Sequence, residues 1–237
     1  MPQKIIWITG ASTGIGREIA IEFSRAGHIV ILTGRRKSRL VSITSEIKFA
    51  GREAGAFVCN VASERSVQRT VKRIRENFGE IDVLINNAGV TAFKSFVETK
   101  TYDFDNIIET NLRGTFLCIK TILPKMIKAR KGQIINIVSV AAKTVFDNSA
   151  VYAASKAGIM ALTDSLRKEV RKFNIKVINL YPGATETPMW DLKSRQKYKN
   201  RMMSPNDIAK IVLFASEQPK KVHIEDIVIR PLKGDIK

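Results

Sequence analysis

Histidine and cysteine are nearly missing from this chain. His28 and His223 are the only histidines, and Cys59 and Cys118 the only cysteines, in 237 residues. Histidines this far apart, with no cysteine beside them, give no metal-site pattern. Two cysteines cannot build the disulfide framework of a small secreted domain. One bridge could still form, but the expectation is a pair of reduced thiols in a cytoplasmic protein. Long apolar runs are missing too: none approaches the ~18–20 residues that a membrane helix needs. The first residues run straight into a strand pattern, Lys4-Ile5-Ile6-Trp7-Ile8-Thr9, with no signal-peptide or lipidation architecture, so no membrane association is expected. Acidic residues are scarce, 22 against 40 Lys and Arg, for a formal net charge of +18. Such a surplus can draw phosphorylated cofactors, acidic carrier proteins or nucleic acid. The cations are spread over helix ends, polar helix faces and loops, as on a solvated basic surface. No zinc finger, RNP-type aromatic pattern or basic tail supports a nucleic-acid partner.

What is present is alternation. Apolar, β-branched runs occur at Ile5–Thr9, Ile29–Thr33, Ala56–Val61, Val83–Asn86, Ile134–Val138, Ile175–Leu180 and Ile224–Ile229. Helical periodicity fills the gaps at Ile15–Ala26, Ser38–Ala50, Glu64–Phe78, Tyr102–Lys128, Val151–Phe173 and Pro205–Ser216. Gly114 and Pro124 could split the fourth of these into two helices. Continuously apolar strands joined by helices predict an α/β fold: a parallel sheet covered on both faces and doubly wound by right-handed crossovers. With no repeat and no Pro/Gly linker, residues 1–237 read as one domain. Residues 187–203 are polar, basic and weakly periodic, and are expected to form a mobile lid over a site.

Three absences inside the motifs narrow the chemistry. The first strand ends in Thr9-Gly10-Ala11-Ser12-Thr13-Gly14-Ile15-Gly16, and a helix follows. Glycines there allow a tight turn and close approach to a pyrophosphate, with free N–H groups at the helix start. The segment lacks the Gly-Lys-Ser/Thr ending of an NTPase loop. Its Gly10-Ala11-Ser12-Thr13-Gly14 matches a hydrolase nucleophile elbow in form, but no earlier strand exists to supply an oxyanion donor. No acid stands ~20 residues beyond the glycines to grip a ribose 2′-hydroxyl. Gly34-Arg35-Arg36-Lys37 stands there instead, which favours a 2′-phosphate and so NADP(H) over NAD(H). Further signals lie at other strand ends: Asn86-Asn87-Ala88-Gly89, Ser139, and Pro182-Gly183 followed by Thr185, Thr187 and Pro188. Asn111 interrupts a helix pattern that an asparagine does little to favour. Tyr152-Ala153-Ala154-Ser155-Lys156 places Tyr152 and Lys156 on one helix face, where an ammonium would lower the phenol pKa.

Taken together, TGASTGIG, NNAG, Asn111, Ser139, YAASK and PG resemble, in order and spacing, the short-chain dehydrogenase/reductase family over essentially the whole chain. The resemblance implies a single Rossmann-type domain of about seven strands. It implies a catalytic tetrad of Asn111, Ser139, Tyr152 and Lys156. Ser139 would bind the substrate oxygen, Tyr152 would move the proton, and Lys156 would tune Tyr152 and hold the nicotinamide ribose. Asn111 would keep a water at Lys156. Gly10, Gly14 and Gly16 would line the pyrophosphate turn, with Ser12, Thr13 and Ile15 beside them. Arg35 and Arg36 would meet the 2′-phosphate, and Asn87, Ala88 and Gly89 the adenine and ribose. Pro182, Gly183, Thr185 and Thr187 would hold the nicotinamide. Where the family usually has an aspartate beside adenine, this chain has Asn60, followed by Val61, and an amide oxygen can still accept that hydrogen bond.

The C-terminal third, from Glu186-Thr187-Pro188-Met189-Trp190 to Gly234-Asp235-Ile236, looks most like the bacterial sepiapterin reductase subfamily. That implies a small carbonyl substrate of pterin type, with Trp190 stacking on its ring. Reduction of 3-oxoacyl groups on an acyl carrier protein, and a generic carbonyl reductase, are the rivals within the family. A non-catalytic NADP sensor and a nucleic-acid-binding Rossmann domain are the rivals outside it. The resemblance also implies a homodimer or homotetramer with contacts through the helices around Tyr102–Lys128 and Val151–Phe173.

Overall fold

The structure is a computed structural model and describes residues 2–236. Seven strands form one parallel sheet: β1 (Ile5–Thr9), β2 (Ile29–Gly34), β3 (Ala54–Val58), β4 (Val83–Asn86), β5 (Gly132–Ile137), β6 (Ile175–Pro182) and β7 (Asp226–Ile229). Their spatial order is β3-β2-β1-β4-β5-β6-β7. The chain winds outward from β1 to β3, then returns across β1 to β4 and winds the other way. The reversal opens a crevice above the carboxyl ends of β1 and β4, where ligands of open α/β sheets sit.

Alternate side chains of each strand enter opposite cores. Ile6 and Ile8 of β1 face α1 (Gly14–Arg25), α2 (Lys37–Phe49) and α8 (Pro205–Ser216). Trp7, between them, faces α3 (Glu64–Phe78), α5 (Gly114–Ala129) and α6 (Ala150–Val170). Both faces are buried, which explains why β1 reads as an unbroken apolar run. Thr33 lets Trp7 be buried completely, because its Oγ1 accepts the indole N–H at 3.0 Å.

Two expectations are corrected, at the end of β3 and in the span Tyr102–Lys128, and residues 187–203 gain a local structure. β3 ends at Val58, so Asn60 and Val61 lie in the loop beyond it. Residues 187–203 carry a short helix, α7 (Leu192–Tyr198), and are tied down at both ends: Glu186 N donates to Met203 O at 2.9 Å and Met203 N to Ala184 O at 3.0 Å. The span read as Tyr102–Lys128 is one unbroken helical run in which α4 (Thr101–Ile107) passes into a π-helical turn, Ile108–Arg113, and then into α5. Among the described residues, no helix is long and apolar enough to cross a membrane.

Candidate active site

The glycine turn is built by close backbone packing. Gly10 has φ +65°, and a Cβ on it would stand 2.7 Å from Ala88 Cα; a Cβ on Gly16 would stand 2.8 Å from Gly10 O. No side chain could be added at either place without parting the turn from the Asn87-Ala88-Gly89 loop. Thr9 staples the two together, its Oγ1 accepting from the N–H groups of Asn87 and Ala88, each at 3.0 Å. The Asn87 amide donates to Thr9 O at 3.0 Å and Gly10 O at 3.2 Å. At the start of α1, Thr13 makes no side-chain cap and no acid stands in the first turn. The helix therefore offers free N–H groups and its positive dipole end. Ile15 packs onto the core beneath.

Around this cradle the expected contacts sort themselves. Arg36 Nη2 lies 3.4 Å from both Ser12 Oγ and Thr13 Oγ1, placing its cation beside the turn, whereas Arg35 is simply exposed. Asn60 is exposed, and its Oδ1 accepts from Ala62 N at 3.2 Å. Val61 is buried against Gly114 and lines a small pocket with Thr9 and Ala88 beside the turn. Thr187 reaches the glycine turn itself, since a Cβ on Gly14 would be 3.1 Å from Thr187 Cγ2. Pro182 ends β6, Gly183 N donates to Ile229 O at 2.7 Å, and the buried Thr185 donates to Gly183 O at 3.0 Å.

The other residues meet on the far side of the crevice. Ser139 follows β5 and caps a 3-10 turn, Val140–Ala142, accepting from Ala141 N at 3.1 Å. Helix α6 brings up Tyr152 and Lys156, both buried, on one face. Lys156 Nζ donates to Ile137 O at 2.9 Å and lies 5.6 Å from the Tyr152 ring centroid. Asn111 sits in the π-helical turn, fully buried. Its Oδ1 accepts from Val90 N at 2.8 Å; its Nδ2 donates to Val90 O at 2.9 Å and Ser155 Oγ at 3.0 Å. Gly89 is where these groups converge: a Cβ there would be 3.5 Å from Asn111 Oδ1 and 3.7 Å from Lys156 Nζ.

The electrostatics differ from the expectation that Lys156 lowers the Tyr152 pKa. Burial raises the phenol, and a hydrogen bond with Ser139 pulls it partly back. Burial also lowers Lys156, to about 8. The ammonium donates to the Ile137 carbonyl, and desolvation by burial is the largest influence on both groups.

The family model for short chain dehydrogenases matches residues 4–198. The chain belongs to the short-chain dehydrogenase family. A sepiapterin reductase of Chlorobaculum tepidum is 37% identical over 241 residues, covering 99% of this chain and 98% of that protein. An uncharacterized oxidoreductase of Staphylococcus saprophyticus is 34% identical, covering 98% and 99%. Among solved structures, an alcohol dehydrogenase of Thermococcus sibiricus complexed with 5-hydroxy-NADP superposes with a TM-score of 0.90 at 27% identity over the whole of both chains. A metagenomic short-chain oxidoreductase in complex with NADP gives 0.85 at 32% identity over 96% of each. This short-chain dehydrogenase is thus an oxidoreductase of the Rossmann-type, single-domain architecture that its sequence predicts.

Sequence reasoning missed several participants. Phe93, from the loop after β4, stacks on Trp190 with centroids 5.3 Å apart and meets the Tyr152 ring edge-on at 6.3 Å. Ser155 receives the Asn111 amide and donates to Tyr152 O at 2.7 Å; its place inside the YAASK motif was the available signal. A third was legible but unread: asparagine follows isoleucine in three strands. Asn86, Asn136 and Asn179 are in register, and each amide donates to the next at 2.9 Å. Asn179 then donates to Asp164 of α6 at 3.2 Å.

Proposed function

We propose that this enzyme transfers a hydride reversibly between NADP(H) and a carbonyl or secondary alcohol carbon, and that its substrate carries a planar heteroaromatic ring, as sepiapterin does. The observation that carries the reading is the aromatic wall in which Phe93 meets the Tyr152 ring and Trp190 stacks on Phe93. Stacked aromatic rings of this kind accept a flat ring by face or edge contact. The residues of the turn fit the dinucleotide: a cradle that a Cβ would fill, an uncapped helix start, and a guanidinium beside two hydroxyls suit a pyrophosphate and a ribose phosphate. The 2′-phosphate contact is assigned chiefly to Arg36, with Arg35 behind it. Asn60 keeps one acceptor lone pair for adenine. Asn87, Ala88, Gly89, Thr185 and Thr187 complete the cofactor contacts.

When bound, the reduced nicotinamide supplies the hydride. Ser139 donates a hydrogen bond to the substrate carbonyl oxygen, and Tyr152 delivers its phenolic proton to that oxygen. In the reverse direction Tyr152 takes the proton back. Lys156, with a pKa near 8, is mostly charged at neutral pH and favours the phenolate left on Tyr152. Asn111 pins the loop after β4 to α6 by its engaged amide, which holds Lys156 and Gly89 together. Residues 187–203 act as the lid, with Trp190 as its contact to the ring. A cytoplasmic setting agrees with two unbridged, buried thiols. Self-association would cover Phe96, Val97 and Tyr102, which are exposed around α4.

The test follows NADPH oxidation with sepiapterin, an acetoacetyl thioester and a simple diketone. Preference for sepiapterin is expected. Preference for the thioester would move the reading to an acyl-carrier substrate, which the charge of +18 also suits. Tyr152→Phe is expected to lower turnover by roughly 10²–10⁴-fold, the usual worth of a positioned proton donor, while binding NADPH normally. Wild-type turnover in that variant would sink the assignment.

A further inference from the structure

The turn that Ser139 opens is fastened at its other end. Lys143, the residue after Val140–Ala142, lies with Nζ 3.4 Å from Asp226 Oδ2 and 3.9 Å from the centroid of the Tyr181 ring. Tyr181, fully buried beneath the turn, donates its hydroxyl to the same Oδ2 at 3.4 Å. The other carboxylate oxygen of Asp226 accepts from Arg167 Nη2 at 2.8 Å. Arg167 is buried on α6, the helix that carries Tyr152 and Lys156, and its Nε donates to Val177 O of β6 at 2.9 Å. One carboxylate on the edge strand β7 therefore joins the Ser139 turn to the helix of Tyr152. Nothing in the assignment of the four site residues uses this link.

We infer that the Lys143–Asp226 pair positions Ser139: it holds the turn down on Tyr181 so that the serine hydroxyl stays in register with the Tyr152 phenol. This rests on the reading of Ser139 as the donor to the substrate oxygen. The physical logic is one of placement. A pair about a third exposed adds little to global stability, but a shift of about an ångström in a reacting group lowers turnover steeply. Loss of the tie should therefore appear in kcat more than in the melting temperature.

The experiment uses the full chain with NADPH and the best substrate of the panel. Lys143→Met and Asp226→Asn should each lower kcat by roughly 5- to 20-fold. KM, the NADPH dissociation constant and the melting temperature should stay near wild type, and Lys143→Arg should retain turnover. Lys143→Met leaves the buried Arg167 paired, so it carries the test if Asp226→Asn folds poorly. In a Ser139→Ala background, Lys143→Met should cause no further loss, because the residue it positions is gone. An unchanged kcat in Lys143→Met, or the same fold loss with and without Ser139, overturns the positioning role alone. Wild-type turnover in Tyr152→Phe overturns both this role and the reading it rests on.

Discussion

Lys156 shows how far a single side chain can depart from its motif. Its ammonium is buried, donates to one backbone carbonyl, and titrates near 8 against an ordinary 10.5. That depression corresponds to about 3 kcal/mol by which folding is disfavoured while the lysine is charged in both states. The full cost applies below pH 8. Between pH 8 and 10.5 the unfolded chain binds more protons at this site than the folded one, so wild-type stability gains as pH rises; above 10.5 the cost is gone. Lys156→Met has no such term. Its melting temperature minus that of wild type should be most positive at pH 7 and shrink toward pH 10, and a difference that stays flat with pH would contradict the buried charge. Arg36 has the opposite character, an exposed cation with two weak hydroxyl contacts. A charged hydrogen bond is worth ~1.5–3 kcal/mol. Arg36→Ala should therefore raise the NADPH dissociation constant by roughly tenfold or more and leave NADH almost unchanged, as read by fluorescence titration; equal losses would remove its 2′-phosphate role.

The run from α4 to α5 is the element whose form the sequence described least well. Helical periodicity from Tyr102 to Lys128 is clear, but a π turn adds one residue to a turn without breaking the pattern visibly. Its consequence is local: Asn111 faces inward and reaches both Val90 and Ser155, and Gly114 comes to rest under Val61. A Cβ on Gly114 would lie 2.7 Å from Val61 Cγ2 and 3.1 Å from Val61 Cβ. Replacing a helical glycine by alanine normally adds ~1 kcal/mol of stability. Here overpacking costs ~1–3 kcal/mol and outweighs that gain. Gly114→Ala should lower the melting temperature by a few degrees, and Gly114→Ala/Val61→Ala should be less destabilised than the sum of its single changes. An alanine that raises the melting temperature would show that the two side chains can part freely. Other elements were legible to within a few residues because their ends are local chemistry. Ser204 and Asp207 cap α8 reciprocally, at 3.1 and 2.9 Å, just where Ser-Pro-Asn-Asp announces a helix start.

At the scale of the whole molecule, the amino-acid order by itself determined the alternation of strand and helix, the burial of both sheet faces, the glycine turn, the placing of Ser139 at the same rim, and the pairing of Tyr152 with Lys156 on one helix face. These follow from periodicity, backbone freedom at glycine and the handedness of crossovers, all of which act over a few residues or one βαβ unit. Tertiary structure alone decided which distant side chains meet. Phe93 and Trp190 stack although 97 positions separate them, and Asp226 joins Lys143 to Arg167 across three elements. It also decided the direction of the Tyr152 shift, since a pKa responds to the burial around a group and not to its motif. The residues proposed for the adenine side divide between the two: the sequence pattern extends β3 to Asn60 and Val61, but the strand stops at Val58 and the loop then turns Val61 inward against α5. The physical reason is common to all of these. Contact, desolvation and close packing are properties of surfaces brought together by the fold, and a linear sequence holds them only as possibilities until the sheet sets their distances.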